Sequence, residues 1–571
     1  MKPTNSIIHF ILLATSLSLH AQIQQIQAPS KAVQYNKLEI DVHLKAVWDC
    51  PYVASDVTLD MLITAPSGKQ LDLPCFYVSG QSNDISQWKA RFTPREPGCY
   101  FYQFCLTEKG KITNKSDLRQ LSVTASDKKG FLNPNNLWSF QYDNGDRFRG
   151  IGENIGWEAR DNDDSKYFKK LHENPRFNYH DMLTTLKAGG GNFFRTWMIY
   201  WNLPVDWKQV QNSRRYQNSD SRFNESGIKR MDALVELCDS LGLHMMLTLD
   251  SHAGYLGGGW ERNNYNVKNG GTAETALVFF TDDMVKSMYK DKLRFMIARW
   301  GYSPSIAAWE FFNEVDNAMY NRPEVERIPD KVITDWHAEM SAYLKKHDPY
   351  HHLITTSISH RDVAGMNDIP TLDINQKHIY KHTQDIPKTL QQYTAAYNKP
   401  YIIGEFGFEW DWQINFNDIA EGMDSDFKRG LWYGLFSPTP VLPMTWWWEF
   451  FDERGLTVYF QHVKDMNAHM MQAGQGDFKS VKVKTLNDTV DALAVQCGTM
   501  VFIYIWNPNE EDIETNIAFE SIDQRADISK YNCETGCYST TNFKMGSKQI
   551  QTISLAAKTD EILIFNLIEQ Q

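Results

Sequence analysis

Residues 283–314 of the chain read DMVKSMYKDKLRFMIARWGYSPSIAAWEFFNE. Residues 283–300 repeat apolar side chains at helical spacing, and residues 306–312 form a short apolar run that is typical of a buried strand. Two polar residues, Asn313 and Glu314, follow directly where this strand should end. A helix followed by a buried strand is the repeating unit of α/β folds with a parallel sheet.

The same alternation continues from about residue 145 to residue 475. It predicts strands at Phe148–Gly152, Asn192–Ile199, His244–Leu249, Ile306–Phe312, Leu353–Ser357, Gln376–Tyr380, Tyr401–Gly404 and Val441–Trp448. It predicts helices at Tyr179–Ala188, Ile228–Leu241, Asp283–Trp300, Lys331–Lys346, Ile386–Tyr397, Ile419–Phe436 and Gln461–Met471. Eight such strands predict an α/β fold of the (β/α)8 TIM barrel type over residues 140–475. An open doubly wound sheet is the alternative, but no glycine-rich phosphate-binding stretch follows the first strand.

The regions on both sides of the predicted barrel are rich in strands. Residues 38–44, LEIDVHL, and residues 57–63, VTLDMLI, alternate polar and apolar side chains, as half-buried strands do. We therefore predict an immunoglobulin-like β-sandwich at residues 23–130. Strand patterns such as MVFIYIW at residues 500–506 predict a second, C-terminal β-sandwich at residues 476–571.

The first 22 residues have the pattern of an export signal. Lys2 precedes an apolar run from residue 7 to residue 19, and cleavage is expected after Ala21. No later apolar stretch is long enough to span a membrane, so we expect a periplasmic or extracellular protein. Such a compartment permits disulfides among the eight cysteines, whose pairing stays open. Cys238 is expected as a buried free thiol, whereas Cys533 and Cys537 are close enough in sequence to bridge a loop.

Composition narrows the class of partner. The formal net charge is −12, which argues against a nucleic-acid binder because such proteins normally present a basic face. The cysteines form no Cys-x2-Cys pairs of the kind that bind zinc, and we expect no metal and no cofactor. The 18 tryptophans include candidates for stacking on sugar rings, so we expect a carbohydrate substrate. The oligomeric state stays open.

Side chains able to bind or cleave a sugar end six of the predicted strands: Arg195, His252, Asn313 with Glu314, His378 with Tyr380, Glu405 and Trp448. Function in such barrels lies at the C-terminal ends of the strands. Glycoside hydrolysis with retention requires two carboxyl groups about 5–5.5 Å apart, and strands four and seven face each other across a barrel. We predict Glu314 as the acid/base, which must hold a proton, and Glu405 as the nucleophile, whose pKa Arg195 would lower.

The motifs NFFR at residues 192–195, DSH at 250–252, NE at 313–314, HIY at 378–380 and GEFG at 404–407, with Trp448, resemble the active site of glycoside hydrolase family 5 and its clan A relatives. The resemblance spans about residues 145–475. It implies that Glu314 is the acid/base, that Glu405 is the nucleophile, and that the cleaved sugar is bound by Arg195, His252, Asn313, His378, Tyr380 and Trp448. Val315 stands where the family usually has a proline after the acid/base. The substrate of the family is therefore not assigned to this protein.

The N-terminal stretch, with WKARF at residues 88–92 and EPG at 96–98, is similar to an uncharacterised domain often fused ahead of such barrels. Together these features predict a secreted retaining glycoside hydrolase that cleaves a β-linked poly- or oligosaccharide. The alternatives are a transglycosylase, in which an acceptor sugar replaces water, and a carbohydrate-binding protein without catalysis. The identity of the sugar and the choice between endo and exo action stay open.

Further expectations concern the surroundings of the glutamates. Glu310 shares the strand parity of Glu314 and is predicted to be a buried partner of Arg195, whereas Glu409 and Glu449 are predicted at the rim. If strand eight runs to Trp448, Trp446 and Trp448 share a face and Trp447 points outward. The segment at residues 253–281, with Tyr255, Trp260 and Tyr265, is expected to form a wall of the substrate cleft, and residues 161–164 a solvated turn.

Overall fold

The computed structural model describes residues 21–320, 327–409, 411, 413–485, 487, 489–519, 526–544 and 551–567. All but the last two residues of the predicted export signal lie outside this range. Among the described residues, no helix combines the length and the apolar character needed to cross a membrane.

Residues 22–124 form two β-sheets. Their strands are β1 (Gln22–Gln27), β2 (Lys31–Val33), β3 (Leu38–Lys45), β4 (Val57–Thr64), β5 (Gln70–Pro74), β6 (Phe76–Ser79), β7 (Ile85–Phe92), β8 (Gly98–Glu108), β9 (Lys111–Lys115) and β10 (Arg119–Thr124). One sheet has the order β1-β3-β7-β6; the other has the order β2-β10-β8-β4-β5, with β9 paired to β8. The strict alternation of buried residues along β3 and β4 confirms the period of two in the sequence, because one face of each strand packs on a shared apolar cluster.

A short antiparallel sheet leads into the central domain. It consists of β11 (Leu132–Pro134), β12 (Phe140–Tyr142) and β13 (Arg147–Phe148). The central strands follow as β14 (Gly152–Asn154), β15 (Phe193–Trp197), β16 (His244–Ser251), β17 (Ile306–Asn313), β18 (Leu353–Thr355), β19 (Ser357–Ile358), β20 (Asn375–Tyr380) and β21 (Tyr401–Gly407).

The central strands pair in parallel and in chain order. β14 to β18 form one sheet and β19 to β21 another, and only Thr356 separates β18 from β19. Parallel bridges join Phe406 to Thr445 and Val441 to Gly150, so the segment after β21 returns to the first strand. This closed parallel order agrees with the predicted barrel.

Helices connect the parallel strands. They are α1 (Lys169–His172), α2 (Tyr179–Ala188), α3 (Glu225–Leu241), α4 (Gly257–Arg262), α5 (Ala276–Thr281), α6 (Asp283–Trp300), α7 (Val315–Tyr320), α8 (Asp330–His347), α9 (Ile386–Tyr397), α10 (Ala420–Leu435), α11 (Trp448–Glu453) and α12 (Tyr459–Gly474). The limits of α2, α6 and α9 coincide with the predicted ones. The local signals suffice for α2 and α6, since the Asn178 and Asp282 side chains accept hydrogen bonds from their first turns.

The first and last barrel strands differ from the prediction. Residues 147–148 pair antiparallel with β12, and parallel pairing begins only at Gly150. The eighth strand was predicted to run to Trp448, but it has bridges only at Val441 and Thr445, and α11 begins at Trp448. Pro440 and Pro443 explain its irregularity, because proline has no backbone N–H to donate to a sheet.

The C-terminal residues form two further sheets. Their strands are β22 (Phe478–Val481), β23 (Val483–Thr485), β24 (Asp491–Cys497), β25 (Met500–Trp506), β26 (Ile513–Phe519), β27 (Ala526–Asn532), β28 (Cys537–Lys544), β29 (Gln551–Leu555) and β30 (Asp560–Leu567). One sheet has the order β22-β24-β25-β30-β27-β28 and the other the order β23-β26-β29. Apolar side chains of both sheets, among them Ile503, Ile553 and Leu563, share one cluster.

All eight cysteines are free thiols in the described residues. Cys238 is buried in α3, as predicted from its helical context. Cys533 and Cys537 flank the turn between β27 and β28 but are not bonded to each other. Cys533 is buried, whereas Cys537 is exposed.

Candidate active site

A cavity of about 630 Å³ lies at the C-terminal ends of the parallel strands. Seven of the eight predicted site residues line it: His252, Asn313, Glu314, His378, Tyr380, Glu405 and Trp448. The eighth, Arg195, is fully buried beside them. The predicted side chains therefore meet in one place although they come from strands far apart in the sequence.

Glu314 and Glu405 face each other with His378 between them. One carboxylate oxygen of each glutamate and one ring nitrogen of His378 all lie within 4.8 Å of one another. His378 Nδ1 is 2.8 Å from Glu314 Oε1 and 3.3 Å from Glu405 Oε2. The two carboxyl groups are thus close enough to act on the same bond of a bound molecule.

Arg195 fixes the position of Glu405. Its Nη1 donates to Glu405 Oε1 at 2.6 Å, and its Nε and Nη2 donate to the two oxygens of Glu310 at 2.6 and 2.8 Å. Nη2 also donates to Asn313 Oδ1 at 2.6 Å. Burial lowers the pKa of Arg195, but the charges of Glu310 and Glu405 outweigh it and the net shift is upward. The structure shows the predicted pairing with Glu310 and also the contact with Glu405.

Tyr380 contacts the other oxygen of Glu405. Its hydroxyl donates to Glu405 Oε2 at 2.6 Å. Burial and the charge of Glu405 raise the pKa of Tyr380 well above its ordinary value, so the hydroxyl stays protonated and remains a donor. Glu405 consequently accepts a hydrogen bond on each oxygen, and the two donors fix the orientation of its carboxyl group.

Glu314 occupies an unusual backbone conformation. Its φ is +50°, in the left-handed region that non-glycine residues rarely adopt, at the point where β17 gives way to α7. The backbone N–H donates to Ser357 Oγ, and Asn317 Nδ2 donates to Glu314 Oε2 at 2.8 Å. Such strain is often found at functional sites, where the surrounding contacts hold the residue in place.

The proton of this cluster resides on His378. Burial lowers the pKa of His378, but the charge of Glu405 and the hydrogen bond to Glu314 raise it to about 9. Burial raises the pKa of Glu314, but the hydrogen bond from His378 and the charges of His378 and His252 shift it below its ordinary value. In the unliganded site these shifts favour a proton on His378, whose Nδ1 lies 2.8 Å from Glu314, and the acid/base role of Glu314 stays a prediction.

Aromatic rings that the sequence reading overlooked form one side of the cavity. Trp157, Trp197 and Trp201 line it after the first two strands. Trp157 packs edge to face against Trp446 and Trp448, with ring centroids 5.3 and 5.2 Å away. Trp197 could have been found from its parity, because it lies two residues after Arg195 on the same strand. Trp157 lies in an irregular segment after β14, so neither helical nor strand periodicity could have indicated its position.

The tryptophan run after strand eight is arranged by a turn. Trp446 and Trp448 both line the cavity, as predicted, but Trp447 also lines it, contrary to the expectation that it points outward. The alternation rule fails here because these residues do not belong to a strand. Trp447 Nε1 donates to the carbonyl oxygen of Phe408, which ties the turn to the end of β21.

Three other expectations need correction. The segment at residues 253–281 folds into short helices whose Tyr255 and Tyr265 are buried, and only Ala253 of this segment lines the cavity. Tyr255 donates to Asp250, so these rings serve the core and do not form a cleft wall. Glu449 is buried and not at the rim, whereas Glu409 is exposed and pairs with Lys381. Asp163, predicted in a solvated turn, is buried and pairs with Arg160.

The described residues contain one cluster with the spacing of metal ligands. It consists of Glu314, His378 and Glu405. The Arg195 guanidinium already lies 2.6 Å from Glu405 and supplies a buried positive charge. Protonated His378 supplies a further positive charge between the two glutamates, and a metal ion would have to displace its proton. We therefore interpret the cluster as an acid–base site.

Two family models match the chain. Residues 158–425 match the model described as Cellulase (glycosyl hydrolase family 5), and residues 31–106 match a domain of unknown function, DUF5060. A solved structure of a Bacteroides vulgatus protein covers 95% of this chain and 100% of its own, with a TM-score of 0.65 and 12% sequence identity. This likeness concerns the fold.

Two similar proteins are mannan endo-1,4-beta-mannosidases. The enzyme named A of Podospora anserina is 25% identical over 247 residues, which are 37% of this chain and 62% of the enzyme. The enzyme named F of Aspergillus fumigatus is 29% identical over 233 residues, which are 35% of this chain and 50% of the enzyme. The chain thus spans less than two thirds of the length of either relative. The resemblances noted in the sequence are confirmed by the matching models: residues 158–425 resemble a glycosyl hydrolase family 5 domain of the cellulase type, and residues 31–106 before them resemble a DUF5060 domain.

Proposed function

We propose that this protein is an exported retaining glycoside hydrolase that cleaves a β-linked poly- or oligosaccharide. The observation that carries the proposal is the approach of the two carboxyl groups, of which one oxygen each lies within 4.8 Å of the other. Retaining enzymes have carboxyl groups about 5–5.5 Å apart, whereas inverting enzymes need about 6.5–9.5 Å to admit a water molecule. The short separation supports retention.

In the proposed first step, Glu405 attacks the anomeric carbon and the glycosidic bond breaks. The departing oxygen takes a proton from Glu314. That proton comes from His378 Nδ1, which lies 2.8 Å from Glu314 Oε1, when the bound sugar displaces water and makes the charged carboxylate less favourable. Arg195 and Tyr380 each donate a hydrogen bond to Glu405 and hold it in position for the attack.

In the second step, water hydrolyses the ester between Glu405 and the sugar. Glu314, now ionised, takes a proton from the water as its oxygen bonds to the anomeric carbon, and Glu405 leaves as a carboxylate. Glu405 returns to its starting state, and when the sugar leaves, the proton that Glu314 took from water passes back to His378 Nδ1, which closes the cycle. Asn313 and His252 are proposed to bind the sugar hydroxyls, and Trp448 is proposed as a stacking surface.

The first substrate to test is β-1,4-linked mannan, because the two relatives carry that activity in their names. The proposed domain limits are 1–22 for the export signal, 23–130 and 476–571 for the flanking β-sandwiches, and 140–475 for the catalytic barrel. Transglycosylation would arise at the same site if an acceptor sugar replaced water in the second step.

The proposal is tested by measuring sugar release from β-1,4-mannan, β-1,4-glucan, β-1,4-xylan and aryl β-glycosides. Glu314→Gln and Glu405→Gln should each lower kcat by at least about a hundredfold. Glu421→Gln, on the exposed face of α10, is the matched control and should retain activity. Proton NMR of the first product formed should show the β-anomer. An α-anomer would refute retention, and full activity in both glutamate variants would refute the catalytic roles.

A further inference from the structure

A buried carboxyl group on the wall of the cavity has no role in the reaction proposed above. Glu449 belongs to α11, immediately after the tryptophan run, and is 4% exposed although it lines the cavity. Within the described part of the chain its Oε1 has no hydrogen-bond partner. Buried polar atoms are nearly always satisfied, so this oxygen on the cavity wall is able to accept a hydrogen bond from a bound molecule.

Three residues hold Glu449 in its position. His172 Nε2 lies 3.5 Å from Glu449 Oε2, and His172 Nδ1 lies 2.9 Å from Asp163 Oδ2. Asp163 in turn accepts hydrogen bonds from Arg160 Nε and Nη2 at 2.9 and 2.6 Å. Because an ionised Asp163 can only accept, His172 Nδ1 carries a hydrogen and Nε2 faces Glu449. This series leaves the other oxygen of Glu449 available.

Aromatic surfaces adjoin this polar series. The Arg160 guanidinium lies over the Trp157 ring at 5.0 Å and near the Trp201 ring at 5.9 Å, and both rings line the cavity. Its positive charge is already paired with Asp163. Among the described residues, this wall therefore offers apolar faces and a hydrogen-bond acceptor, while the charge of Arg160 is already used by Asp163.

The position of Glu449 in the barrel indicates which part of a substrate it would contact. Glu449 follows strand eight, which lies next to strand seven with Glu405. Arg160 and His172 follow strand one, on the other side of strand eight. Asn317 and His360 line the opposite side, after strands four and five. Since Glu314 on strand four faces the departing oxygen, the retained sugar lies toward strands seven, eight and one.

We propose that Glu449 accepts a hydrogen bond from a hydroxyl of the sugar retained on Glu405 and makes this subsite specific for a neutral hexopyranose. The inference rests on the proposed function for the direction of the substrate. A sugar acid fits this subsite poorly because its carboxylate would lie beside the carboxyl group of Glu449, and the neighbouring charge of Arg160 is already paired with Asp163. Glu449 is thus a specificity-determining residue held by His172 and Asp163.

The test measures sugar binding by intrinsic tryptophan fluorescence, using methyl β-hexopyranosides, β-linked disaccharides and the corresponding uronides. Wild type should bind a neutral sugar, and Glu449→Ala should weaken binding by about tenfold or more, with Glu449→Gln between them. Glu453→Ala, exposed on the same helix, should bind like wild type. Thermal unfolding of each variant separates lost contacts from lost folding.

Deoxy analogues of the bound sugar provide the sharper test. One analogue lacks the hydroxyl that Glu449 binds. Wild type should bind this analogue more weakly than the parent sugar, whereas Glu449→Ala should bind the analogue and the parent sugar equally well. Equal losses for every analogue in both proteins would overturn the inference, as would preferential binding of a uronide or no sugar binding at all. Binding with this pattern but without cleavage would support the subsite and refute the proposed hydrolysis.

Discussion

At the scale of single residues, the site is organised by the placement of two positive charges among three carboxylates. Arg195 lies between Glu310 and Glu405, and protonated His378 lies between Glu314 and Glu405. All five side chains are buried, so each charge depends on its neighbours for compensation. This dependence makes the protonation of His378 a determinant of stability as well as of chemistry.

His378 should make the stability of the protein depend on pH. Its pKa is about 9 in the folded protein, against 6.5 for an ordinary histidine, so its contribution is complete below pH 6.5 and is lost as pH rises through 9. The loss is about 3 kcal/mol at most. The melting temperature of wild type should fall over this range, and His378→Gln should lack that part of the fall. His180→Gln, an exposed control, should follow wild type. Parallel curves for wild type and His378→Gln would contradict the charge arrangement.

At the scale of secondary-structure elements, the close approach of the first two barrel strands places Arg195. Gly152 of β14 pairs with Phe193 of β15, two residues before Arg195. A Cβ added at Gly152 would lie 1.7 Å from the carbonyl oxygen of Phe193. Because the clash is with backbone, a side-chain rotation cannot relieve it, and the strands would have to separate.

Gly152→Ala should therefore lower both stability and activity. We expect a loss of about 3 kcal/mol or more in the free energy of unfolding, and a lower kcat because Arg195 moves relative to Glu405. Gly258→Ala is the control, since a Cβ there meets no atom within 4 Å and alanine favours the helix. Chemical denaturation and kinetics measure the two effects. A fully stable and active Gly152→Ala would show that the strands are less tightly placed than described.

At the scale of the whole molecule, the N-terminal domain is attached to the barrel helices by charged side chains. Arg91 of β7 donates to Asp232 of α3 at 2.9 Å and to the carbonyl oxygen of Arg299 in α6 at 3.0 Å. Asp232 also accepts from Arg299 Nη2 and from Trp300 Nε1, at 2.6 and 2.7 Å. One carboxylate thus joins the two domains away from the catalytic cavity, which suggests that this domain supports the barrel.

Asp232→Ala should destabilise the protein without changing its chemistry. The loss of this carboxylate leaves Arg91 and Arg299 facing each other, which we expect to cost about 2–3 kcal/mol. Calorimetry should show a lower melting temperature, while kcat at 25 °C stays unchanged. Lys229→Ala, exposed one turn earlier on α3, should leave the melting temperature unchanged. An Asp232→Ala variant as stable as wild type would mean that the domains are joined chiefly by other contacts.

The sequence by itself determined the order of the barrel elements and predicted that Glu314 and Glu405 lie close together at one end of the barrel. Helices such as α6 were predictable because apolar spacing and capping residues are local properties. The strand-end residues were predictable because parallel strands bring their C-terminal ends to one edge, whatever the distance between them in sequence. The rule that strand ends meet, together with the alternation of side chains along a strand, predicted that Arg195, His378 and Tyr380 lie near the glutamates.

Only the tertiary structure decided the features that depend on contacts between distant segments. The position of the proton on His378 results from two carboxylates on other strands, and no local pattern encodes it. Within the segment at residues 253–281, Tyr255 and Tyr265 are buried, and they donate hydrogen bonds to Asp250 and Asp206 on other parts of the chain. The turn that places Glu449 in the cavity replaces the last residues predicted for strand eight, where two prolines remove backbone donors. The physical reason is the same throughout: propensity and periodicity act over a few residues, whereas burial and charge are set by the whole fold.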